Sequence, residues 1–411
     1  MTSPSTLFLP DRHQRPGFDD LCLHLGAQQD EVRLVGGAVR DGLLSIPVND
    51  IDLATRHSPE EVMHRLSQAG IKAIPTGLAH GTITAVIDHQ PIEITTLRRD
   101  VSTNGRHATI AYTDSWEEDA ARRDFTINAL YASTLTGQVY DYFGGIEDLS
   151  ARCVRFIGNA HERIAEDHLR ILRYFRFLAR FGALPPEESA YGACIEMASS
   201  LMALSRERIA DEVMKLLSLP NPASIVRLMV NGGIFTPVIP EINGEGVTRL
   251  ERLIAREQDA AFPPSAQLRL AALLPQNATI GEKIAARLKL SNKARKRIAT
   301  ALTPPPAYQS LEELAFRIGT QSAIDHLLLA SNQPVQEVAR LAQWQVPVFP
   351  LSGSALIEMG IKPGPDISRL LGKIKEGWIE AGFPPAAKAL EIAADYVATE
   401  GAGSETERPF Q

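Results

Sequence analysis

A chain of 411 residues is longer than one hydrophobic core usually organises, so about two to four domains are expected. Hydrophobic residues make up 44% and charged residues 22%. That excludes a disordered chain, and no apolar run reaches the ~20 residues of a membrane span. The net charge of −7 carries no global sign of nucleic-acid binding, so an RNA partner must be met by a local basic surface.

The N-terminal stretch Met1 to Gly17 lacks the basic flank and apolar core of a secretory signal. Val32–Val35, Ile51–Ala54, Thr82–Ile87 and Ile92–Leu97 are rich in Val, Ile and Thr and predict strands. Pro59–Ala69 predicts a helix capped by Ser58. The strand signal fades after about residue 150. Helices are predicted over Ala160–Phe181, Arg206–Leu217, Ala223–Asn231, Ser265–Leu274, Gly281–Leu302 and Leu311–Ala330. Pro347–Gly364 reads as a connector, and Gly401–Gln411 as a disordered end. The pattern is an α+β organisation, a head mixing strands and helices followed by an all-helical remainder. The three cysteines, Cys22, Cys153 and Cys194, lie far apart, which argues against disulfides or a zinc site and fits a reducing cytoplasm.

The first chemical signal is Leu34-Val35-Gly36-Gly37-Ala38-Val39-Arg40-Asp41, a strand, a double glycine and a helix start. Gly36 and Gly37 let backbone N–H groups approach an anion, and Arg40 adds a charge-assisted contact to a phosphate. A simple tight turn is the plainer alternative. The next signal is Asn49-Asp50-Ile51-Asp52-Leu53. Residues i and i+2 of a strand share a face, so Asp50 and Asp52 point one way while Ile51 and Leu53 point to the core. Two carboxylates this close repel unless a cation lies between them, and oxygen-only ligands favour Mg²⁺. An isolated acidic pair is more often just solvated. A phosphate-binding turn shortly upstream shifts the reading to a nucleotidyltransferase site. Glu93, between Ile92 and Ile94, is the candidate third acid, and an outward-facing strand residue fits it equally well.

Further ordered blocks follow: His80-Gly81-Thr82, Glu93-Ile94-Thr95-Thr96-Leu97-Arg98, Arg122-Arg123-Asp124-Phe125-Thr126-Ile127-Asn128-Ala129, Asp141-Tyr142-Phe143-Gly144-Gly145, Glu166-Asp167-His168-Leu169-Arg170 and Ser205-Arg206-Glu207-Arg208-Ile209. With the glycine turn and the acidic pair, these resemble the class II CCA-adding enzymes and their relatives, the bacterial poly(A) polymerases. The resemblance runs from about Val32 to Leu217 and more weakly to about residue 390. It implies a polymerase-β-like nucleotidyltransferase head with a mixed sheet (residues 1–150), then an all-α neck (151–218), body (219–335) and tail (336–411). It implies template-independent addition of C, C and A to the tRNA 3′ end from CTP and ATP, with Mg²⁺ on Asp50 and Asp52 and Glu93 as the candidate third acid. A poly(A) polymerase and a specialist adding only A or only CC are the alternatives. No membrane or obligatory protein partner is called for. Arg123 and Asn128 fall in the block that the resemblance places by the sugar and phosphates. Arg122 and Asp124 read equally well as structural ion-pair members. Many family members carry Asp-Gly-Arg in a loop involved in switching from C to A; here it is Asn104-Gly105-Arg106.

Asp167, Arg170, Arg173 and Arg176 recur every three residues on the predicted 160–181 helix. Steps of three fall about 60° short of a turn, so the row winds partway round. Cytosine and adenine each offer an exocyclic amine beside a ring nitrogen. The family implies that Asp167 accepts from the first and Arg170 donates to the second. Uracil and guanine present the reverse order. Arg173 and Arg176 continue toward the triphosphate. Lys283, Arg287, Lys289, Lys293, Arg295, Lys296 and Arg297 fall within one predicted helical stretch. They form either a track for RNA phosphates or a solvated face.

Overall fold

The computed structural model describes residues 16–48, 50–104, 107–330 and 334–403. Two compact units emerge, Met1–Gly244 and Glu245–Gln411.

The first unit is organised by a seven-stranded sheet in the order β3-β4-β5-β2-β1-β8-β9. Its strands are β1 (Val32–Val35), β2 (Asp52–Thr55), β3 (Lys72–Gly77), β4 (Thr82–Ile87), β5 (Gln90–Thr96), β8 (Leu130–Ser133) and β9 (Val139–Asp141). The remaining two, β6 (Arg98–Asn104) and β7 (His107–Tyr112), form a separate two-stranded sheet. β2 and β5 run parallel, while β1 pairs antiparallel with both β2 and β8, so the large sheet is mixed. Alternation divides the side chains between its faces. Leu34, Leu53, Ile83 and Ile94 enter one buried cluster. Val35, Ala54, Leu97, Trp116 and Tyr131 enter another. β1 is buried along its whole length, as a central strand covered on both faces should be.

The four predicted strands are present with small shifts at their ends. β3, β6, β7, β8 and β9 went unpredicted. β3 carries Pro75 and lies at the sheet edge, where proline is tolerated and the strand pattern is weak. β8 and β9 are short. The helix Pro59–Gln68 forms as expected, and Ser58 Oγ accepts from the Glu61 N–H at 3.3 Å. The helices Arg206–Leu217 and Ala223–Asn231 also match their predicted spans.

Three predicted helices are each broken in two. Ala160–Phe181 divides into Ala160–Glu166 and Arg170–Phe181. Gly281–Leu302 divides into Ala278–Arg287 and Asn292–Ala301, so the basic cluster spans two helices rather than one stretch. The chain turns there through Lys289 at φ 54°, and Ser291 caps the second helix by accepting from the Ala294 N–H. Leu311–Ala330 divides at Gly319, whose φ of 88° no helix accommodates.

Among its described residues, the regular elements of the second unit are all helices. Leu356, Leu370, Ile374, Trp378 and Ala393 form a core among its last helices. Trp378 is buried, and its indole N–H donates to the Pro384 carbonyl at 2.7 Å. The connector around 347–364 contains a short helix, Gly353–Glu358. The last helix, Ala386–Gly403, extends into the segment expected to be disordered, whose remainder (404–411) lies outside the described residues. Gly105 and Arg106 of the Asn104-Gly105-Arg106 loop also lie outside them.

Candidate active site

β1 ends at Gly36, which adopts φ 65° and ψ −119°, a conformation closed to ordinary side chains. A Cβ there would lie 3.5 Å from both Arg123 Nη1 and the Asn128 carbonyl. Those are ordinary contact distances, so it is the positive φ, and not crowding by Arg123, that calls for glycine at this position. Gly37 begins the Gly37–Leu43 helix. Arg40 on that helix is turned inward and only 6% exposed. Its Nη1 donates to Asn128 Oδ1, its Nη2 pairs with Asp41 at 2.6 Å, and its guanidinium lies 4.2 Å from the Phe181 ring centroid. Burial pulls its pKa down, with Asp41 opposing. Arg40, expected from the sequence to contact a phosphate, is engaged here by internal partners.

Across β1, the chain enters β2 with Ile51 and Leu53 buried and Asp50 and Asp52 exposed. The parallel register sets Asp52 directly beside Glu93 and Leu53 beside Ile94. Adjacent strands lie about 4.8 Å apart, so the two carboxylates emerge side by side on one face. Asp52 registers the crowding. Partial desolvation, Glu93 and Asp50 all raise its pKa above the usual carboxylate value, and Arg123 opposes them. A divalent cation relieves this excess of negative charge, and an all-carboxylate donor set suits a hard one. Among the described residues, no three His, Cys, Asp or Glu side chains are drawn together into a closed ligand set.

Arg123 is fixed from behind. Its Nε donates to Tyr131 Oη at 3.1 Å and its Nη2 to Asp119 Oδ2 at 3.1 Å. Asp119 is 1% exposed and also receives Arg122 at 2.7 Å and the Tyr131 hydroxyl at 2.6 Å. Burial alone would raise the Asp119 pKa, but Arg123, Arg122 and Tyr131 together hold it well below the usual range. Asn128 is buried between two partners, accepting from Arg40 and donating Nδ2 to Asp124 Oδ1 at 3.0 Å. Of the pair left open by the sequence, Arg122 and Asp124 are both ion-pair members.

The Asp167 to Arg176 row differs from the sequence reading. Asp167 is not on the helix: with φ −150° and ψ 106° it occupies the break between the two helices. Its Oδ1 accepts from the Leu169 N–H at 3.1 Å and its carbonyl from the Arg170 N–H at 3.0 Å. A short polar side chain that captures nearby amides competes with helix continuation. The arginines do lie on Arg170–Phe181, and each meets an acid: Arg170 Glu166, Arg173 Asp124 at 2.6 Å, and Arg176 Glu212 at 2.6 Å. Arg170 also donates to the carbonyls of Arg163 and Arg122. The partner of Asp167 is Arg208, whose Nη2 reaches Oδ2 at 2.7 Å. Sequence reasoning missed that role. Arg208 lay in a recognised block, but no periodicity signals a pairing across so long a separation.

The residues fall into two groups: acids and Arg123 at a glycine turn, and an arginine helix held by acids. A chain with 33% identity over 383 residues is the mitochondrial CCA tRNA nucleotidyltransferase 1 of Mus musculus, with 89% of this chain and 87% of that one covered. The chain belongs to the CCA-adding enzyme family. The CCA-adding enzyme of Streptococcus sanguinis is 32% identical over 370 residues, covering 86% of this chain and 90% of its own. Among solved structures, the Bacillus stearothermophilus CCA-adding enzyme in complex with CTP superposes with a TM-score of 0.75 at 26% identity, over 95% of this chain and all of that one. A family model described as the poly A polymerase head domain matches residues 32–155. A second, described as a probable RNA and SrmB-binding site of polymerase A, matches residues 184–245. Like other CCA-adding enzymes, this one is a nucleotidyltransferase with a mixed-sheet head. Among the described residues, no helix is long and apolar enough to cross a membrane.

Proposed function

We propose that this CCA-adding enzyme extends the tRNA 3′ end by C, C and A from CTP and ATP, with Asp50, Asp52 and Glu93 as the Mg²⁺-binding acids. The observation that carries the assignment is the register setting Asp52 beside Glu93, with Asp50 on the same charged face. In each cycle the terminal 3′ oxygen attacks the α-phosphorus of the nucleotide. The bond from that phosphorus to the bridging oxygen breaks, and pyrophosphate leaves. Bound Mg²⁺ would supply charge neutralisation for the attacking and leaving oxygens. The chain's own residues do the rest. Gly36 and Gly37 leave room for the triphosphate beside Arg123. Arg123, its direction set by Asp119 and Tyr131, offers the remaining cation. Arg40 and Asn128 act one step back, bracing the turn and Asp124.

Base choice rests on Asp167 and Arg170. Three of the five N–H donors of Arg170 are engaged, which leaves two for a ring nitrogen. The Asp167 carboxylate accepts two hydrogen bonds and retains lone pairs for an exocyclic amine. Uracil and guanine place like against like there, at about 1–3 kcal/mol for each unpaired group. Arg173 and Arg176 line the same helix, their charges balanced by Asp124 and Glu212. In this reading the head spans residues 1–150, the neck 151–218, the body 219–335 and the tail 336–411, in a reducing cytoplasm.

The test supplies a tRNA ending at the discriminator base with Mg²⁺ and CTP, ATP or both. Three added nucleotides with both substrates are expected. Long A tracts with ATP alone would mark a poly(A) polymerase. Asp52→Asn should abolish extension, and full-speed extension by that variant would sink the metal assignment.

A further inference from the structure

Two cavities in the second unit meet at one residue. The larger, about 410 Å³, has a lining of mixed polarity that includes Pro304, Pro305, Tyr308, His326 and Gln276. That volume lies in the range of small-ligand pockets. The smaller, about 330 Å³, is lined by Asn292, Arg295, Lys296 and Glu282. Thr303, just past the Asn292–Ala301 helix, lines both.

The two chambers have complementary chemistry. In the smaller, Arg295 keeps its Nε buried without a hydrogen-bond partner, while its Nη2 reaches Glu282 at 3.1 Å. Lys296 is exposed. Two cations against one acid leave a net positive cleft, which suits a singly or doubly charged anion. In the larger, prolyl and tyrosyl faces offer flat apolar walls, the kind of surface on which bases stack. His326 is half-buried. Burial, partly offset by Asp325, lowers its pKa, so the ring is neutral at pH 7 with one donor and one acceptor nitrogen. Gln276 spends its amide N–H on the Leu274 carbonyl at 3.1 Å, leaving its oxygen as an acceptor. From Lys296 to the end of its helix at Ala301 the axis rises about 7–8 Å, and Thr303 follows two residues on. A flat ring with hydrogen-bonding edges, joined by a short spacer to a phosphate, matches both chambers.

We propose that the adjoining cavities form a second nucleotide site, which takes a base into the Tyr308 chamber and its phosphate onto Arg295 and Lys296. The site belongs to the Glu245–Gln411 unit, whereas Asp50, Asp52 and Glu93 belong to Met1–Gly244, so it does not rest on the nucleotidyl-transfer reading. An unpaired nucleotide within an RNA strand and a free nucleoside monophosphate share this chemistry, and the experiment separates them.

The full chain is photolabelled with 8-azidoadenosine 5′-monophosphate, with a short oligoadenylate carrying one 8-azidoadenosine, and with 8-azidoadenosine lacking phosphate. Labelled peptides are then mapped by mass spectrometry. Label on the peptide carrying Tyr308 or His326 is expected, weakest with the unphosphorylated probe. Labelling by the monophosphate identifies a free-nucleotide site. Labelling by the oligonucleotide alone identifies a site for a strand. Lys296→Glu should cut that label about tenfold or more, and Arg295→Gln should act in the same direction, with head peptides as an internal measure of folding. Absence of label on those peptides with every probe, or label indifferent to both substitutions, overturns the proposal.

Discussion

Asp167 shows how much of a recognition residue's behaviour lies in its partner. One carboxylate oxygen faces the Leu169 amide and the other faces Arg208. Arg208 therefore fixes the rotamer from which Asp167 would meet a base amine. A charge-assisted hydrogen bond is worth about 1.5–3 kcal/mol, and its loss frees the carboxylate to rotate. Arg208→Ala is expected to raise misincorporation of UMP and GMP about tenfold while leaving the head untouched, as read by single-nucleotide extension with each triphosphate. Arg208→Lys should recover part of the fidelity, because charge is restored without the planar guanidinium that directs the hydrogen bond. Equal fidelity in Arg208→Ala and the parent would detach Arg208 from base choice. Gly145 makes a steric case at the same scale. A Cβ there would overlap the Thr126 carbonyl and crowd Leu130. Overpacking against backbone costs about 1–3 kcal/mol. Gly145→Ala should therefore lower the denaturant midpoint with little change in its slope.

Between residue and molecule, the elements are held by charges that the sequence could place but not pair. Asp119 binds Arg122, Arg123 and Tyr131 from the Trp116–Ala121 helix, and Asp124 binds Arg173 of the Arg170–Phe181 helix. Both carboxyls are held below their ordinary value: burial pushes upward, and the arginines outweigh it. A group with a depressed folded pKa adds stability above its unfolded value, near 3.9 for Asp, and that stability is lost as pH falls through the folded value. Unfolding free energy should therefore decline below about pH 5. The decline should be shallower in Asp119→Asn, measured by urea titration across that range. A parallel decline in both proteins would remove Asp119 from the acid response. The sequence made the sheet face of Asp50, Ile51, Asp52 and Leu53 legible because alternation is local. It left the helix breaks hidden because apolar periodicity runs through Asp167 and Ser291 without interruption. What marks those breaks is side-chain capture of backbone amides, by Asp167 between its two helices and by Ser291 at the start of the second of its pair, which leaves the hydrophobic pattern undisturbed.

For the whole molecule, the net charge of −7 opposes RNA at long range, while Lys283, Lys293 and their neighbours on the two basic helices favour it locally. The two effects respond to salt with opposite sign. Screening of a repulsive total charge strengthens binding as salt rises, whereas displacement of counterions from phosphates contacted by lysine and arginine weakens it. The Debye length is about 10 Å at 0.1 M salt, so charges spread over a protein of 44.9 kDa are largely screened from a given phosphate, and direct contacts are not. Local contacts should therefore set the sign. The logarithm of the tRNA association constant is expected to fall steadily with the logarithm of salt concentration, by about 0.7–0.9 per phosphate neutralised. Filter binding between 50 and 300 mM KCl would read it, and Lys283→Glu with Lys293→Glu should flatten the slope by about two phosphates' worth. Binding that strengthens with salt would mean that the acidic total governs the encounter and that the basic helices are a solvated face.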